Sequence, residues 1–454
     1  MPHRLTLCEM VEHLQSRKLS SRELLDAHLK NIQALNPKVN AFVRVLEEQP
    51  IDHSGPLAGI PVSIKDSFDF AGLPTTCGSA LLRDKIAARD ATTILRLKQA
   101  GAIPIGKTNC PEFLSNYESD NFVSGRTNNP WNLERTPGGS SGGEAAAIAA
   151  RFSAGGIGSD GGGSIRVPAH FTGIVGLKPT PGRVSSVGHV PEMSHPGGMV
   201  GVAGPMARTA ADVRLLFRVL AGYDAQDPFS APVPLRDADL KGLRIGLIET
   251  FNRVPVQAAV AQALQKAAGC LADLKIPVEP FSTQGLEHAP NLWWFLFGVL
   301  PARLTQDLIA GREEQVHWTG KEFLRQALAE PEPTVKQLTE IFAAREQMRT
   351  ALLLQMEQYP VLLAPVSSVS AFPHRQRRYA TPAKEIGQFQ AMMSATWVNL
   401  LGLPAISIPF GLDADGLPVG IQLVGRPFED ELLLDLAVEL EKVRGLFPAP
   451  PLLR

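Results

Sequence analysis

Two glycine-rich segments on either side of an alanine run constrain the fold of this chain more than any other feature. The first segment, residues 138–143, leads directly into residues 144–150, where five of the seven positions are alanine. Alanine is the strongest helix former, and its small side chain lets a helix pack tightly against its neighbours. The second segment, residues 155–163, ends at Ser164. The sequence therefore predicts a closely packed helix between two glycine-rich turns.

The rest of the chain alternates between two hydrophobic periods. Apolar runs typical of buried strands occupy residues 57–64, 102–105, 243–248, 278–281, 361–365, 405–408 and 417–424. Helical spacing of apolar residues is found over residues 7–14, 24–32, 92–100, 256–274, 283–345 and 429–443. Asn36-Pro37 predicts the end of the second helix. Because no internal repeat or low-complexity linker divides residues 1–454, we expect a single α/β domain with helices around a sheet.

The composition argues against several classes of function. Lys plus Arg total 44 and Asp plus Glu total 45, so the formal net charge is −1. This balance gives no electrostatic reason to expect DNA, RNA or an anionic membrane surface as a partner. No stretch reaches the roughly 18 uninterrupted apolar residues of a transmembrane helix. The apolar first helix carries Glu9 and Glu12, which is typical of an amphipathic helix and not of a signal peptide.

Cysteine usage predicts neither a zinc cluster nor a disulfide framework. The chain has four cysteines, Cys8, Cys77, Cys110 and Cys270, and no two of them form a CxxC pair. Unpaired cysteines are typical of a reducing compartment, so we expect a cytoplasmic protein.

Two matches to nucleotide-binding patterns are weak in their context. Residues 101–108 (Gly101 to Thr108) fit the phosphate-loop pattern GxxxxGK(S/T), and a nucleotide-binding protein using them is one alternative function. Such a loop follows a strand and opens a helix, whereas here a helix precedes it and its Ile-Pro-Ile centre is typical of a strand. Residues 156–161 fit the dinucleotide pattern GxGxxG, but further glycines follow where the helix should already have begun.

A third match, the nucleophile elbow GxSxG at residues 138–142, would make Ser140 the nucleophile. The elbow needs a strand that leads straight into the serine, and residues 132–137 do not have a strand pattern. The candidate bases would be His170, His189, His195 and His374. None of them lies in a context that favours catalysis over an ordinary packing or surface position.

Ser164 and Lys65 are better candidates for chemistry. Three successive glycines precede Ser164, and they can turn several unshielded N–H groups toward one point. A serine hydroxyl beside such N–H groups is what acyl transfer needs, namely a nucleophile with an oxyanion hole. Lys65 ends a buried apolar run, and burial lowers the pKa of a lysine toward the range in which it can act as a base. A structural turn capped by serine and an ordinary lysine at a strand end remain the simpler alternatives.

Motifs spread over nearly the whole chain support the catalytic interpretation. They are GIPVSIKD (59–66), GLPTTCGS (72–79), GKTN (106–109), TPGGSSGGE (136–144), GSDGGGSIRVPA (158–169), GIVGLKPT (173–180), NLLGLPA (399–405) and GLPVGIQ (416–422). Together they resemble the amidase signature family. The resemblance implies a single large domain with a twisted mixed β-sheet core surrounded by α-helices. It also implies a signature core at about residues 55–185 and a variable, substrate-shaping helical region at about residues 283–345.

The resemblance implies a Ser–Ser–Lys triad with no metal and no cofactor. In it, Ser164 matches the nucleophile, Lys65 the base, and Ser140 the middle serine that relays the proton. The family has an unusual cis peptide at the middle serine, and we expect it here at the Ser140–Ser141 bond.

The oxyanion hole implied by the resemblance is made by backbone N–H groups. Those groups belong to Gly161, Gly162, Gly163 and Ser164. Position 161 departs from the pattern, because the family often has Thr, Ile or Leu there. We expect Asp160 and Arg166 to brace this turn by charge-assisted hydrogen bonds and to take no part in the chemistry.

The substrate pocket is expected between the signature core and the variable region. The pocket candidates are Phe113, Leu114, Asn116, Tyr117, Trp293 and Trp294. The aromatic cluster at residues 292–297 fits a pocket or a membrane contact, and a helix buried in the core is the simpler alternative. If it lines the pocket, aryl or alkyl amides are the expected substrates, with ester or carbamate (urethane) activity from the same acyl chemistry.

The predicted activity is hydrolysis of a small-molecule amide to an acid and an amine or ammonia. We expect neither a nucleic acid nor an integral membrane as a partner, and a homodimer is one open arrangement. The alternative within the same family is the A subunit of a glutamine-dependent tRNA amidotransferase, to which the neutral charge gives no positive support.

Overall fold

An eleven-stranded mixed sheet runs through the structure, a computed structural model that describes residues 1–52, 54–193 and 199–453. Its strands are β1 (Phe42–Val45), β2 (Pro61–Lys65), β3 (Ile103–Thr108), β4 (Gly155–Asp160), β5 (Val175–Lys178), β6 (Val202–Ala207), β7 (Ile245–Leu247), β8 (Val278–Pro280), β9 (Val361–Pro365), β12 (Ala405–Leu412) and β13 (Pro418–Gly425). A separate hairpin joins β10 (Arg378–Ala380) to β11 (Glu385–Gly387).

The spatial order of the large sheet is β1-β3-β2-β4-β6-β5-β12-β13-β9-β7-β8. Strands β3, β2 and β4 are parallel, as are β9, β7 and β8, whereas the neighbours between β4 and β9 are antiparallel. The parallel pair β7–β8 confirms the βαβ pattern predicted between residues 243 and 281. The predicted α/β class, with a mixed sheet surrounded by helices, is confirmed.

Helices cover both faces of the sheet and form most of the variable region. They are α1 (Leu7–Gln15), α2 (Ser21–Val39), α3 (Thr92–Gln99), α4 (Gly142–Ala149), α5 (Arg166–Thr172), α6 (Ala210–Leu220), α7 (Ala258–Asp273), α8 (Ala289–Trp294), α9 (Leu300–Ile309), α10 (Trp318–Leu328), α11 (Val335–Gln355), α12 (Gln388–Leu400) and α13 (Asp430–Arg444). A single π-helical turn, Phe295–Val299, joins α8 to α9.

The alanine run forms α4, the predicted closely packed helix. Every residue of α4 is buried, and the helix packs against β2, β4 and α5. Ser140 lies just before α4, and Ser164 follows the glycines that come after β4. The helix and the strand therefore fix both serines relative to the sheet.

Residues 101–108 do not form a phosphate loop. Their last six residues form β3, a fully buried strand, and only a single 3-10 turn, Glu112–Leu114, follows. Lys107 forms a buried ion pair with Asp66 at 2.8 Å instead of extending from a loop. Residues 103–108 therefore form part of the central sheet.

The helix α2 runs past the predicted stop. Pro37 lies inside its last turn, and the helix ends at Val39 because Asn40 adopts a left-handed conformation (φ 53°). Proline cannot donate a helical hydrogen bond, and α2 continues for only two residues beyond Pro37.

In the described part of the chain, no helix is both long enough and apolar enough to cross a membrane.

Candidate active site

Lys65 lies at the end of β2 with its side chain completely buried. Its Nζ donates hydrogen bonds to Oγ of Ser140 at 2.7 Å and to Oγ of Ser159 at 3.0 Å. Burial lowers the pKa of Lys65 to about 8, because an ammonium group loses its hydration inside the protein. The site therefore contains an amine whose neutral form is accessible near neutral pH, in contact with a serine hydroxyl.

Ser140 lies in the tight turn that leads into α4. The cis peptide is the Gly139–Ser140 bond, so the predicted position at Ser140–Ser141 is wrong. Ser141 is committed to the start of α4, where its N–H donates to the carbonyl of Ser164 at 3.1 Å. On the other side of Ser140, Gly139 lies so close to the carbonyl of Asn116 that a side chain at position 139 would overlap that carbonyl.

A buried carboxylate, Glu144, lies beside this pair at the first turn of α4. It accepts hydrogen bonds from the hydroxyls of Ser63 and Thr108, the second at 2.6 Å. Burial raises the pKa of Glu144 to about 7, although both hydroxyls and the charge of Lys65 favour the ionised form. A second group that titrates near neutral pH thus lies close to Lys65.

Ser164 ends the glycine turn that connects β4 to α5. The carbonyls of residues 160–163 all accept hydrogen bonds from outside the turn. Their donors are Asn399 Nδ2 to Asp160 (2.9 Å), Trp293 Nε1 to Gly161 (2.7 Å), the Tyr117 hydroxyl to Gly162 (2.7 Å) and the Val167 N–H to Gly163 (2.7 Å). The orientation of each peptide group in the turn is therefore fixed.

One of the four predicted oxyanion donors is already used inside the protein. The N–H of Gly163 donates to the carboxylate of Asp160 at 2.7 Å. Gly163 also has a φ of 108°, a conformation that favours glycine, which bends the turn back toward that carboxylate. This contact narrows the candidate donors to Gly161, Gly162 and Ser164.

Asp160 and Arg166 form a buried two-pronged ion pair beneath the turn. Nε and Nη2 of Arg166 each lie 3.0 Å from a carboxylate oxygen, and both side chains are completely buried. Burial raises the pKa of Asp160, but the charge and hydrogen bonds of Arg166 outweigh that effect and hold the pKa well below its usual range. Asn399 and Gln422, from the two C-terminal motifs, also accept from Arg166 at 2.5 and 2.7 Å. Asp160 and Arg166 thus brace the turn by charge-assisted hydrogen bonds, as predicted.

Two cavities meet at Ser164. The first, of about 370 Å³, also contains Ser140 and Ser159 in its wall and is otherwise mainly aromatic and aliphatic. Its apolar walls are Phe113, Leu114, Phe297, Leu304, Leu308, Phe323 and Leu324, with Pro191, Met193 and Pro301. The second, of about 410 Å³, is more polar and is lined by Glu322, Gln326, Arg377, Gln388 and Gln390.

The predicted pocket residues divide between these cavities. Phe113 lines the apolar cavity and Leu114 lines both, whereas the other four face the polar one. Those four are Asn116, Tyr117, Trp293 and Trp294. The aromatic cluster of the variable region therefore borders the site.

The histidines considered as bases for Ser140 have other surroundings. His170 is buried and bonded to backbone groups, and His374 lies beside a buried glutamate. His189 lines the apolar cavity, its Nδ1 bonded to a backbone carbonyl, and burial lowers its pKa to about 3. His195 lies outside the described residues.

Two residues of the site were not predicted from the sequence. Ser159 is the second partner of Lys65, and Glu144 is the buried carboxylate. Ser159 belongs to β4, and the glycines of that strand hide its period of two. Glu144 is the third residue of α4 and the charged residue that begins the alanine run, a signal that sequence analysis could have used.

The family profile named Amidase matches residues 23–434. The chain belongs to the amidase signature family. It is therefore an enzyme of a family that acts on the C–N bond of amides. The A subunit of glutamyl-tRNA(Gln) amidotransferase from Roseiflexus sp. (strain RS-1) is 36% identical, over 97% of this chain and 96% of that protein.

Solved structures with the same fold include hydrolases. A 6-aminohexanoate cyclic dimer hydrolase complexed with substrate has a TM-score of 0.89 and 29% identity, with 100% of both chains covered. A bacterial aryl acylamidase of the amidase signature family has a TM-score of 0.86 and 26% identity, covering 97% of this chain and 96% of that one. The similarity thus spans the whole chain and includes both hydrolases and one component of an amidotransferase.

Proposed function

We propose that this protein is an amidase that hydrolyses amides with an apolar aryl or alkyl group through an acyl-enzyme on Ser164. The observation that carries the proposal is the apolar cavity, which has Ser140 and Ser164 in its wall. Among the described residues that line this cavity, Glu192 is the one with a charged side chain. Transfer of an apolar group from water into such a cavity is favourable by roughly 25 cal/mol per Å² of surface buried. Binding energy of that kind favours hydrophobic amides over small polar ones.

The first half of the proposed reaction forms the acyl-enzyme. Neutral Lys65 accepts a proton from Ser140, with which it is already in contact, while Ser140 accepts the proton of Ser164. The Oγ of Ser164 attacks the amide carbon, and backbone N–H groups of the glycine turn hold the resulting oxyanion. With a pKa of about 8, roughly a tenth of the Lys65 side chains are neutral at pH 7.

The second half releases both products. Ser140 donates a proton to the leaving nitrogen, so that the C–N bond breaks and a neutral amine or ammonia departs. Water, deprotonated through the same relay, attacks the acyl carbon and releases the acid. Because only the leaving group differs, the same steps cleave aryl esters and carbamates, and we include these among the proposed substrates.

A second candidate function is that of the A subunit of a tRNA amidotransferase. It is favoured by the 36% identity to the Roseiflexus protein over almost the full length of both chains. The polar cavity, with Arg377 and Glu322 near Ser164, could hold the charged groups of glutamine. Both charges are already paired, however, since Nη2 of Arg377 lies 2.9 Å from Glu322 and its Nη1 lies 2.6 Å from Glu118.

The deciding experiment compares turnover of anilides with increasingly large acyl groups against turnover of glutamine. We expect kcat/KM to rise with apolar size and Leu324→Asn, in the apolar cavity, to flatten that rise. The matched control is Leu328→Asn, one turn further along α10 and outside the cavity lining. Preferential release of glutamate from glutamine would contradict the proposal and support the amidotransferase function.

A further inference from the structure

We infer that Trp293 and Tyr117 are positioning residues for the oxyanion-binding turn. Trp293 aims the N–H of Gly162 at the substrate carbonyl, and Tyr117 fixes the next peptide group, whose N–H is bonded to Asp160. The inference rests on the proposed function, because an oxyanion forms at this turn only if Ser164 is the nucleophile. Neither side chain needs to touch the reacting atoms to have this effect. Each acts through the backbone carbonyl to which it donates a hydrogen bond.

The geometry of the peptide bond transmits the effect. In a trans peptide, the carbonyl of one residue and the N–H of the next point in opposite directions. The indole of Trp293 holds the carbonyl of Gly161 and thereby directs the N–H of Gly162 to the opposite side. Tyr117 holds the carbonyl of Gly162 and directs the N–H of Gly163 at Asp160, where that N–H is bonded. The two anchors thus set the planes of the two central peptide groups.

Residues 161–163 need such anchors because they have no side chains of their own. A glycine loses more conformational freedom on ordering than any other residue. A donor that must stabilise an oxyanion has to be oriented before the reaction begins. Anchors from two separate parts of the chain, the loop after residue 114 and helix α8, provide this order.

Packing holds the Trp293 anchor in place. Its ring stacks on Phe297 with centroids 4.9 Å apart and an angle of 14° between the planes. A Cβ built on Gly162 would overlap the ring of Trp293, and one built on Gly161 would overlap Phe297. The two rings therefore occupy the space that side chains of the turn would otherwise fill, so that the variable region completes the signature core.

The Tyr117 anchor is held in its donor form. Burial raises the pKa of the Tyr117 phenol well above its usual range, with a smaller contribution from the charge of Asp160. The hydroxyl therefore stays protonated over the whole pH range in which an amidase is assayed. Its proton is available for the carbonyl of Gly162.

The test removes each donor and keeps an aromatic ring, with Trp293→Phe and Tyr117→Phe in the full-length protein. We expect kcat for the best anilide to fall roughly tenfold in each variant, with KM within about threefold of wild type, since a misaligned donor affects the transition state. Affinity for a trifluoromethyl ketone analogue should fall in parallel, because Ser164 adds to that ketone and forms an oxyanion. Affinity for the corresponding alcohol, which forms none, should not change.

Two matched controls remove the same kind of hydrogen bond elsewhere. The indole of Trp131 donates to the carbonyl of Thr172 at 2.7 Å, and the hydroxyl of Tyr379 donates to that of Gln376 at 3.0 Å. Trp131→Phe and Tyr379→Phe should lower the melting temperature as much as the test variants but leave kcat and ketone affinity unchanged.

Two results would overturn the inference. Wild-type kcat and ketone affinity in Trp293→Phe and Tyr117→Phe would do so while leaving the proposed function intact. Equal losses of kcat in the test and control variants would show a merely structural role. If wild type neither hydrolyses an amide nor binds the ketone more tightly than the alcohol, the proposed function itself fails.

Discussion

The ring of Phe297 occupies the space that a side chain at position 161 would need. A Cβ built on Gly161 would lie 2.4 Å from one carbon of that ring, and the same ring stacks on Trp293. The family resemblance leads one to expect Thr, Ile or Leu at this position, so the glycine could have weakened the turn. Instead, a side chain of the variable region fills the volume from outside.

Gly161→Ala should therefore impair catalysis through Phe297. The backbone can accept alanine, because Gly161 is not in the left-handed region, but the new methyl group displaces the ring and with it Trp293. We expect kcat to fall on the order of tenfold and stability to fall by about 1–3 kcal/mol, as in other overpacked cores. Melting curves and steady-state kinetics measure both effects.

The compensating change is Phe297→Ala in the Gly161→Ala background. If the ring is the cause, the double variant should recover part of the lost kcat, and a double-mutant cycle should give a coupling energy of about 0.5–3 kcal/mol. Strictly additive effects would contradict the structural explanation. Gly269→Ala in α7, where a Cβ meets no atom within 4 Å, serves as the control and should leave kcat unchanged without lowering stability.

The pH dependence of kcat/KM should report the ionisation of Lys65. Burial lowers its pKa to about 8, and the neutral amine is the active form in the proposed relay. Activity should thus rise with pH through about 8 and level off above it. Measurement of kcat/KM from pH 5.5 to 9.5 on an uncharged anilide would show this limb.

Glu144→Gln separates Lys65 from its buried neighbour. An ionised Glu144 stabilises the ammonium form of Lys65, so its removal should move the limb toward lower pH. Ser63→Ala leaves the carboxylate in place but removes a hydrogen bond that favours its ionised form, so it should move the limb in the same direction by a smaller amount. A limb that moves toward higher pH in Glu144→Gln, or that persists in Lys65→Met, would show that another group controls the profile.

Sequence reasoning located the elements that carry strong periodic signals and missed those that carry none. The alanine helix α4 and the strand β2 follow directly from their composition and hydrophobic runs. Strand β4, in contrast, contains three glycines, which resemble a turn in the sequence. In the structure those glycines permit close packing: a Cβ at Gly156 would overlap Glu144, and one at Gly158 would meet Ser141.

The candidate site shows the same division. Lys65, Ser140 and Ser164 lie in motifs with fixed chemical content, so the sequence identified them. The contacts of Trp293 and Phe297 with the glycine turn depend on how the variable region folds back across more than a hundred residues, and no local pattern encodes that distance. The close approach of Gly139 to Asn116, next to the cis bond, is likewise a tertiary contact that no local pattern encodes.

A serine-reactive fluorophosphonate should distinguish the two serines of the proposed relay. We expect wild type to gain one adduct by intact-protein mass and Ser164→Ala to gain none. Ser140→Ala should still be labelled at Ser164, but at least about 100-fold more slowly, because the proton relay is interrupted. Labelling that survives in Ser164→Ala and disappears in Ser140→Ala would make Ser140 the nucleophile.

Removal of the guanidinium beneath the turn should destabilise the protein strongly. Arg166→Met leaves the buried carboxylate of Asp160 without its partner, and such losses cost about 3–5 kcal/mol.

In wild type the low pKa of Asp160 stabilises the fold above the unfolded-state pKa, and this contribution is lost as the pH falls through the native pKa. In the variant, burial without the cation raises the native pKa instead, so the deficit should grow as the pH rises through it. Urea denaturation of wild type and variant at pH 5 and pH 8 tests the sign: a deficit that is larger at pH 5 would contradict it. The double variant Asp160→Asn/Arg166→Met should lose less stability than Arg166→Met alone, since no unpaired charge remains.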